Sequence, residues 1–86
     1  MVKVEWTEKA VKDLEKLDKL IARRFIRKVS WFAANFDRVT LEPLSGDLKG
    51  MFKLRIGDWR VIYTVKDDIA VIQFVGHRRD IYENKP

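Results

Sequence analysis

Cations alternate with apolar residues in "FKLRIGDWRVIY", residues 52 to 63. Phe52, Leu54 and Ile56 take every second place, Lys53 and Arg55 lie between them, and Arg60 follows just after Gly57-Asp58. The pattern reads as two strands joined by a two-residue turn, because Gly tolerates positive φ and strand side chains alternate between faces. That turn sets Ile56 opposite Trp59, Arg55 opposite Arg60 and Leu54 opposite Val61. Lys53, Arg55 and Arg60 then share one face, and Phe52, Leu54 and Ile56 share the other. Like charges directly across strands are destabilising, so the cationic face needs a counter-charge. Nearby carboxylates could supply it, with Asp58, Asp80 and Glu83 at hand, or a bound polyanion could. Phosphate suits the second arrangement, since Arg offers a planar fork of donors that stays charged.

A second group of such residues closes the chain in "GHRRDIY", residues 76 to 82. His77 is titratable, Arg78 and Arg79 are cations, and Tyr82 has an aromatic face with a hydroxyl. Sheet cations beside an aromatic able to stack on a base are what single-stranded RNA recognition requires.

The elements that must position these groups are legible in the apolar spacing. "VKVEW" (2 to 6) alternates as a half-buried strand does. Thr7 is a good N-cap with Glu8 in the first turn, and Val11, Leu14 and Leu17 form one apolar stripe on a short helix. Asp18 caps a longer helix whose core face carries Ile21, Phe25, Val29, Phe32 and Phe36. Arg23, Arg24, Arg27 and Lys28 fall largely on its other faces, as a solvated surface or a docking surface for RNA or an acidic partner. Residues 37 to 50 hold one Pro and two Gly among polar residues and read as a loop. Three strands follow, over 51–57, 59–65 and about 70–77, with Lys66-Asp67-Asp68 as the second turn. "IAVIQFVG" (69 to 76) is nearly all apolar, as a central strand covered on both faces would be. The expected fold is α+β: an N-terminal strand, a helical hairpin packed on one face, then a three-stranded antiparallel meander in a small twisted sheet.

Composition sets bounds on this reading. The chain has 86 residues, 47% hydrophobic and 36% charged, enough for one compact domain over 1–86 and small enough to lean on a partner for stability. No cysteine is present, so disulfide, thiolate and Cys-based zinc chemistry are excluded. One His and no Cys make a poor transition-metal site, so no metal or other cofactor is expected. The start, "MVKVEW", lacks the apolar run of a secretory signal, and no stretch approaches the roughly 20 apolar residues of a membrane span. A cytoplasmic protein without a membrane partner is expected. The net charge of +5 favours an anionic partner.

"LSGDLKGMFKLRIGDWRVIY" followed by "VIQFVGHRRDIY" resembles the RelE/ParE superfamily of toxins from bacterial and archaeal toxin–antitoxin pairs, and within it the RelE branch. Coarse element order carries the likeness from about residue 2 to 82, and its specific part spans 44 to 82. The resemblance implies a RelE-like fold (β-α-α-β-β-β) and a metal-independent endoribonuclease that cuts mRNA in the ribosomal A site and so inhibits translation. It implies attack of a ribose 2′-hydroxyl on the adjacent phosphate, leaving a cyclic phosphate. On the matching positions, Lys53 and Arg55 would flank the scissile phosphate and Arg60 would stabilise transition-state charge. Arg78 would act as general acid or leaving-group stabiliser, and Tyr82 would stack on the substrate nucleotide. Lys49, His77 and Arg79 would add RNA contacts. Some members carry Lys at the place of Arg55. Arginine is a poor proton acceptor, which leaves Lys53 or His77 for proton transfer, imidazoles being suited to it near neutral pH. A RelB-like antitoxin is implied as partner, contacting the basic second helix or the cationic face. Two further readings stay beside this one: a ParE-like inhibitor of DNA gyrase, which generally lacks the Arg and Tyr kept here at 78 and 82, and a non-catalytic member that binds RNA or antitoxin.

Overall fold

The computed structural model describes residues 1–83. Strand β1 (Lys3–Trp6) leads into helices α1 (Glu8–Glu15) and α2 (Lys19–Ala34), and strands β2 (Glu42–Pro43), β3 (Phe52–Ile56), β4 (Trp59–Lys66) and β5 (Ile69–His77) follow. They form one five-stranded sheet in the order β1-β5-β4-β3-β2. β1 runs parallel to β5, and the other neighbours are antiparallel. The fold is the α+β arrangement expected, with one strand added. β2 lies in the stretch read as a loop, which also forms two 3-10 turns, Phe36–Arg38 and Gly46–Leu48. Two residues carry no alternation to read, and Pro43, lacking an N–H, is suited to a sheet edge.

Both helix starts follow their capping residues. Thr7 Oγ1 accepts from the Ala10 N–H at 3.0 Å, and Asp18 Oδ2 accepts from the Leu20 N–H at 3.0 Å. The stripe expected on α1 is turned, however, and Val11 is 42% exposed while Ala10 and Asp13 are buried. The cause lies at the edge of β5. β1 leaves the sheet after Trp6, and the Thr7 N–H closes on the Ile72 carbonyl. Beyond that point α1 satisfies the exposed strand edge in its place. Thr7 Oγ1 donates to the Gln73 carbonyl at 3.0 Å, and Asp13 Oδ2 accepts from the Val75 N–H at 3.2 Å. Lys9 Nζ lies 2.7 Å from Asp13 Oδ1 and balances its charge. A buried backbone donor left without a partner is costly, so the helix turns its hydrogen-bonding side to the sheet.

Two apolar clusters flank the sheet. The larger one joins Phe25, Val29 and Phe32 of α2 to Leu54, Ile56, Val61, Tyr63 and Ile72. The smaller, on the opposite face, holds Leu48, Ile62, Phe74 and Ile81. Phe74 reaches that face because a bulge between β4 and β5 shifts the register, Ile62 pairing with Phe74 but Tyr63 with Ile72. β5 is thus covered on both faces, which explains its unbroken apolar run. The β4–β5 turn uses Asp67 and Asp68 at φ 52° and 63°, the positive values that a two-residue primed turn demands.

Burial of Tyr63, reinforced by the nearby Glu42 carboxylate, raises its phenol pKa from 10.0 to about 12. The neutral phenol therefore stabilises the fold fully below pH 10, and that contribution is lost as pH rises towards about 12. Equilibrium unfolding across that window should show stability falling with pH, and Tyr63→Phe should flatten the fall. An unchanged slope in Tyr63→Phe would assign the alkaline loss to other groups.

Candidate active site on the second sheet face

The β3–β4 hairpin delivers the arrangement its sequence implied. Ile56 pairs with Trp59, Arg55 with Arg60 and Leu54 with Val61. Leu54 and Ile56 are buried under the helices, so Lys53, Arg55 and Arg60 share the second face with Ile62. Gly57 at φ 61° makes the turn.

Each arginine has a partner in the free protein. Arg55 Nη2 lies 3.1 Å from Glu42 Oε1, and Arg78 Nε lies 3.6 Å from Asp58 Oδ1. Arg60 Nη1 folds over the turn and donates to the Gly57 and Trp59 carbonyls at 2.7 and 2.8 Å. Of the three carboxylates expected to neutralise this face, Asp58 pairs with Arg78, and the counter-charge of Arg55 is Glu42. Both ion pairs are exposed, with side chains 58% and 37% accessible in the first and 54% and 67% in the second. Pairs so solvated are worth about 0–1 kcal/mol, whereas hydrogen bonds to charged groups reach about 1.5–3 kcal/mol. A phosphate offering two or more such bonds can therefore displace both carboxylates.

Tyr82 is brought to the same face by its neighbour. Ile81 is fully buried in the smaller cluster, and the turn after β5 is closed by the Asp80 and Ile81 N–H groups on the His77 carbonyl. That anchors Tyr82, 46% exposed, beside Lys53 in a groove of about 310 Å³ whose other walls are Pro43, Leu44, Ser45 and Leu48. Arg78 is held to the hairpin turn by its backbone, its N–H donating to the Asp58 carbonyl at 2.8 Å. Lys49 and Arg79 are exposed on the loops that follow the Gly46–Leu48 turn and β5.

His77 is not brought to these cations. It pairs with Trp59 and meets that ring edge-on at 5.2 Å, on the helix side of the sheet where Trp59 also contacts Phe25. Its Nδ1 accepts from the Arg79 N–H at 3.2 Å. The strand alternation that gathers Lys53, Arg55 and Arg60 points His77 the other way. This sets it apart from the hairpin cations.

Two residues of consequence escaped sequence reading. Glu42 sits in "TLEPLSG", whose pairing to β3 no periodicity announces, and no spacing on the first helix singles out Asp13. Among the described residues no group of three or more His, Cys, Asp or Glu is placed to hold a metal ion, and no helix is long and apolar enough to cross a membrane.

The site is thus a cationic hairpin on an α+β sheet with a Tyr-lined groove beside it. The family profile described as the ParE toxin of type II toxin–antitoxin system, parDE, matches residues 4–82, and the chain belongs to this RelE/ParE superfamily. Solved structures of RelE-type toxins are among those similar to it. A chain of the RelBE2 toxin–antitoxin complex from Mycobacterium tuberculosis is 31% identical, with a TM-score of 0.79 over 90% of this chain and 98% of that one. A chain of the archaeal RelE–RelB complex from Pyrococcus horikoshii OT3 is 28% identical, with a TM-score of 0.65 over 90% and 94%. YafQ from Escherichia coli shares the fold at 19% identity and a TM-score of 0.65, over 95% and 99%. No curated protein matches the chain in sequence.

Proposed function

We propose that this toxin is a metal-independent endoribonuclease that cuts mRNA in the ribosomal A site through attack of a ribose 2′-hydroxyl on the adjacent phosphate. The observation that carries the reading is the placement of Lys53, Arg55 and Arg60 on one sheet face, with Tyr82 in a groove shared with Lys53. A nucleotide stacked on Tyr82 lies beside Lys53, and its phosphate is within the field of the hairpin arginines. Phosphoryl-transfer transition states spread negative charge over their oxygens, and fixed cations stabilise that charge directly. Arg78, beside the hairpin turn, is the residue we assign to hold charge on the leaving oxygen. The ribosome supplies what an open sheet face lacks, fixing the message in a reactive geometry.

The proposed partner is a RelB-like antitoxin. Arg24, Arg27, Lys28, Trp31 and Ile56 line a groove of about 400 Å³ where α2 meets the β3–β4 hairpin, with Lys28 Nζ 4.1 Å above the Trp31 ring. Cations around an apolar floor suit an acidic amphipathic helix, which favours α2 over the cationic sheet face as the contact.

Purified toxin in a cell-free translation extract tests the reading, with message ends mapped by primer extension. Cuts inside codons that vanish when ribosomes are withheld are expected. Intact message together with arrested DNA supercoiling would overturn it in favour of gyrase inhibition.

A further inference from the structure

β1 is an edge strand, with β5 on one side and no strand on the other among the described residues. The Lys3 N–H donates to the Asp68 carbonyl and the Thr7 N–H to the Ile72 carbonyl, both at 3.0 Å. Alternate residues of a strand turn their backbone groups to the same neighbour, so those of Val4 and Trp6 point away from β5. A row of free N–H and C=O groups is a template for another strand. We propose that this edge pairs antiparallel with the same edge of a second copy of the chain, about a twofold axis at Val4. The proposal stands apart from the ribonuclease reading.

The strand's own sequence names the occupant. A twofold interface must be self-complementary, and "VKVEW" (2 to 6) is so about Val4. Pairing there sets Val4 opposite Val4, Lys3 opposite Glu5 and Val2 opposite Trp6 of the second copy. Lys3 and Glu5 are exposed on one face, so opposite charges meet in water, while the apolar residues meet on the helix face. An axis one residue away, at Lys3 or at Glu5, would set that charge against itself. A slip that breaks the symmetry by one residue would turn the apolar set to the wrong face. At the Val4 register the two Val4 residues exchange N–H and carbonyl groups as a hydrogen-bonded pair. The Trp6 N–H faces the Val2 carbonyl, the Val2 N–H being taken already by the Ala33 carbonyl at 3.1 Å.

An apolar seat accompanies the edge. A groove of about 170 Å³ between β1 and α2 is lined by Val4, Trp6, Ile26, Val29, Ser30 and Ala33. Ile26, Ser30 and Ala33 follow helical spacing on one side of α2, and Ile26 is 48% exposed despite its large apolar side chain. A strand added to the edge lays its own Val4 and Trp6 on this side of the sheet. The twofold axis stands perpendicular to the sheet, so the helices of both copies share one face and the Ile26 sides of the two α2 helices turn towards the seam. Contacts below about 1,200 Å² make transient complexes, and a seam built on one four-residue strand belongs among them. β1 and β2 lie at opposite edges, so the hairpin face and the Tyr82 groove stay open in both copies.

The test is sedimentation equilibrium of the purified toxin over a concentration series, for wild type, Lys3→Glu, Glu5→Lys and the double variant carrying both changes. Both side chains are exposed, so the melting temperatures should stay close to wild type. Wild type and the double variant should dimerise as concentration rises. Each single variant puts like charges across the seam and should stay monomeric, while an equimolar mixture of the two should form a heterodimer. Exchange of the Val4 amide hydrogen should slow with concentration in wild type and in neither single variant. Should a single variant fail to fold, Ile26→Ser replaces it and should shift wild type towards monomer. A wild-type chain that stays monomeric up to its solubility limit would overturn the proposal, as would single variants or Ile26→Ser that dimerise as wild type does. A monomeric toxin whose binding to its antitoxin is weakened by the same charge swaps would overturn it too, and give the edge to the antitoxin.

Discussion

Arg60→Ala is expected to lower message cleavage at least about a hundredfold while leaving the chain folded. Loss of one preorganised donor to a developing oxyanion costs about 2.7–4 kcal/mol of transition-state stabilisation. The structural cost is smaller. Arg60 Nη1 donates to two backbone carbonyls at the hairpin turn, and neutral-acceptor bonds of this kind contribute about 0.5–1.5 kcal/mol each. Gly57 and the cross-strand pairs around it hold the turn without the guanidinium. Arg60 is also set apart from Arg55 and Arg78, which each face a carboxylate. A phosphate bound there would have no ion pair of Arg60 to displace. Induction of the variant in growing cells and a thermal melt of the purified protein check both halves. Growth arrest at wild-type expression would remove Arg60 from the site.

Phe74→Ala is expected to be the most damaging change on the second face, costing about 3–5 kcal/mol. Phe74 is fully buried against Leu48, Ile62 and Ile81. At roughly 0.05–0.15 kcal/mol per residue, 86 residues give a total stability of only about 4–13 kcal/mol. The variant should therefore melt far below wild type and populate unfolded chain at growth temperature. Because a partner that binds only folded chain adds stability by mass action, co-expression with the antitoxin should recover soluble protein. A melting temperature unchanged by Phe74→Ala would show that the smaller cluster does not hold the face together.

The two changes separate the roles of the layers. Phe74 packs in the cluster that buries Ile81, the chain neighbour of Tyr82, and Lys53 stands beside Tyr82. The cluster determines whether the face exists, and the cations determine what it can do.

Much of this could be read from the residues. Period-two alternation in 52–56 fixed the faces of Lys53 and Arg55, and Gly57-Asp58 fixed the register that opposes Arg55 to Arg60. Thr7 and Asp18 marked both helix starts. What escaped depends on contacts between distant segments. Asp13 is buried because β1 ends before β5 does, a mismatch of strand lengths that no local pattern records. Glu42 joins the cations only through a two-residue strand at the sheet edge. His77 belongs to the right motif but the wrong face, since one strand step separates it from the Gly76 that pairs with Arg60. Proximity in sequence to Arg78 said nothing about that.

The central claim is that the hairpin cations act on one phosphodiester whose own 2′-hydroxyl is the nucleophile. The most direct measurement is cleavage by wild-type toxin of a ribosome-bound message carrying a single 2′-deoxy nucleotide at the mapped cut. The account predicts no cleavage at that position, with cuts at unmodified positions still ending in a cyclic phosphate. Cleavage of the deoxy message at the unmodified rate would contradict it.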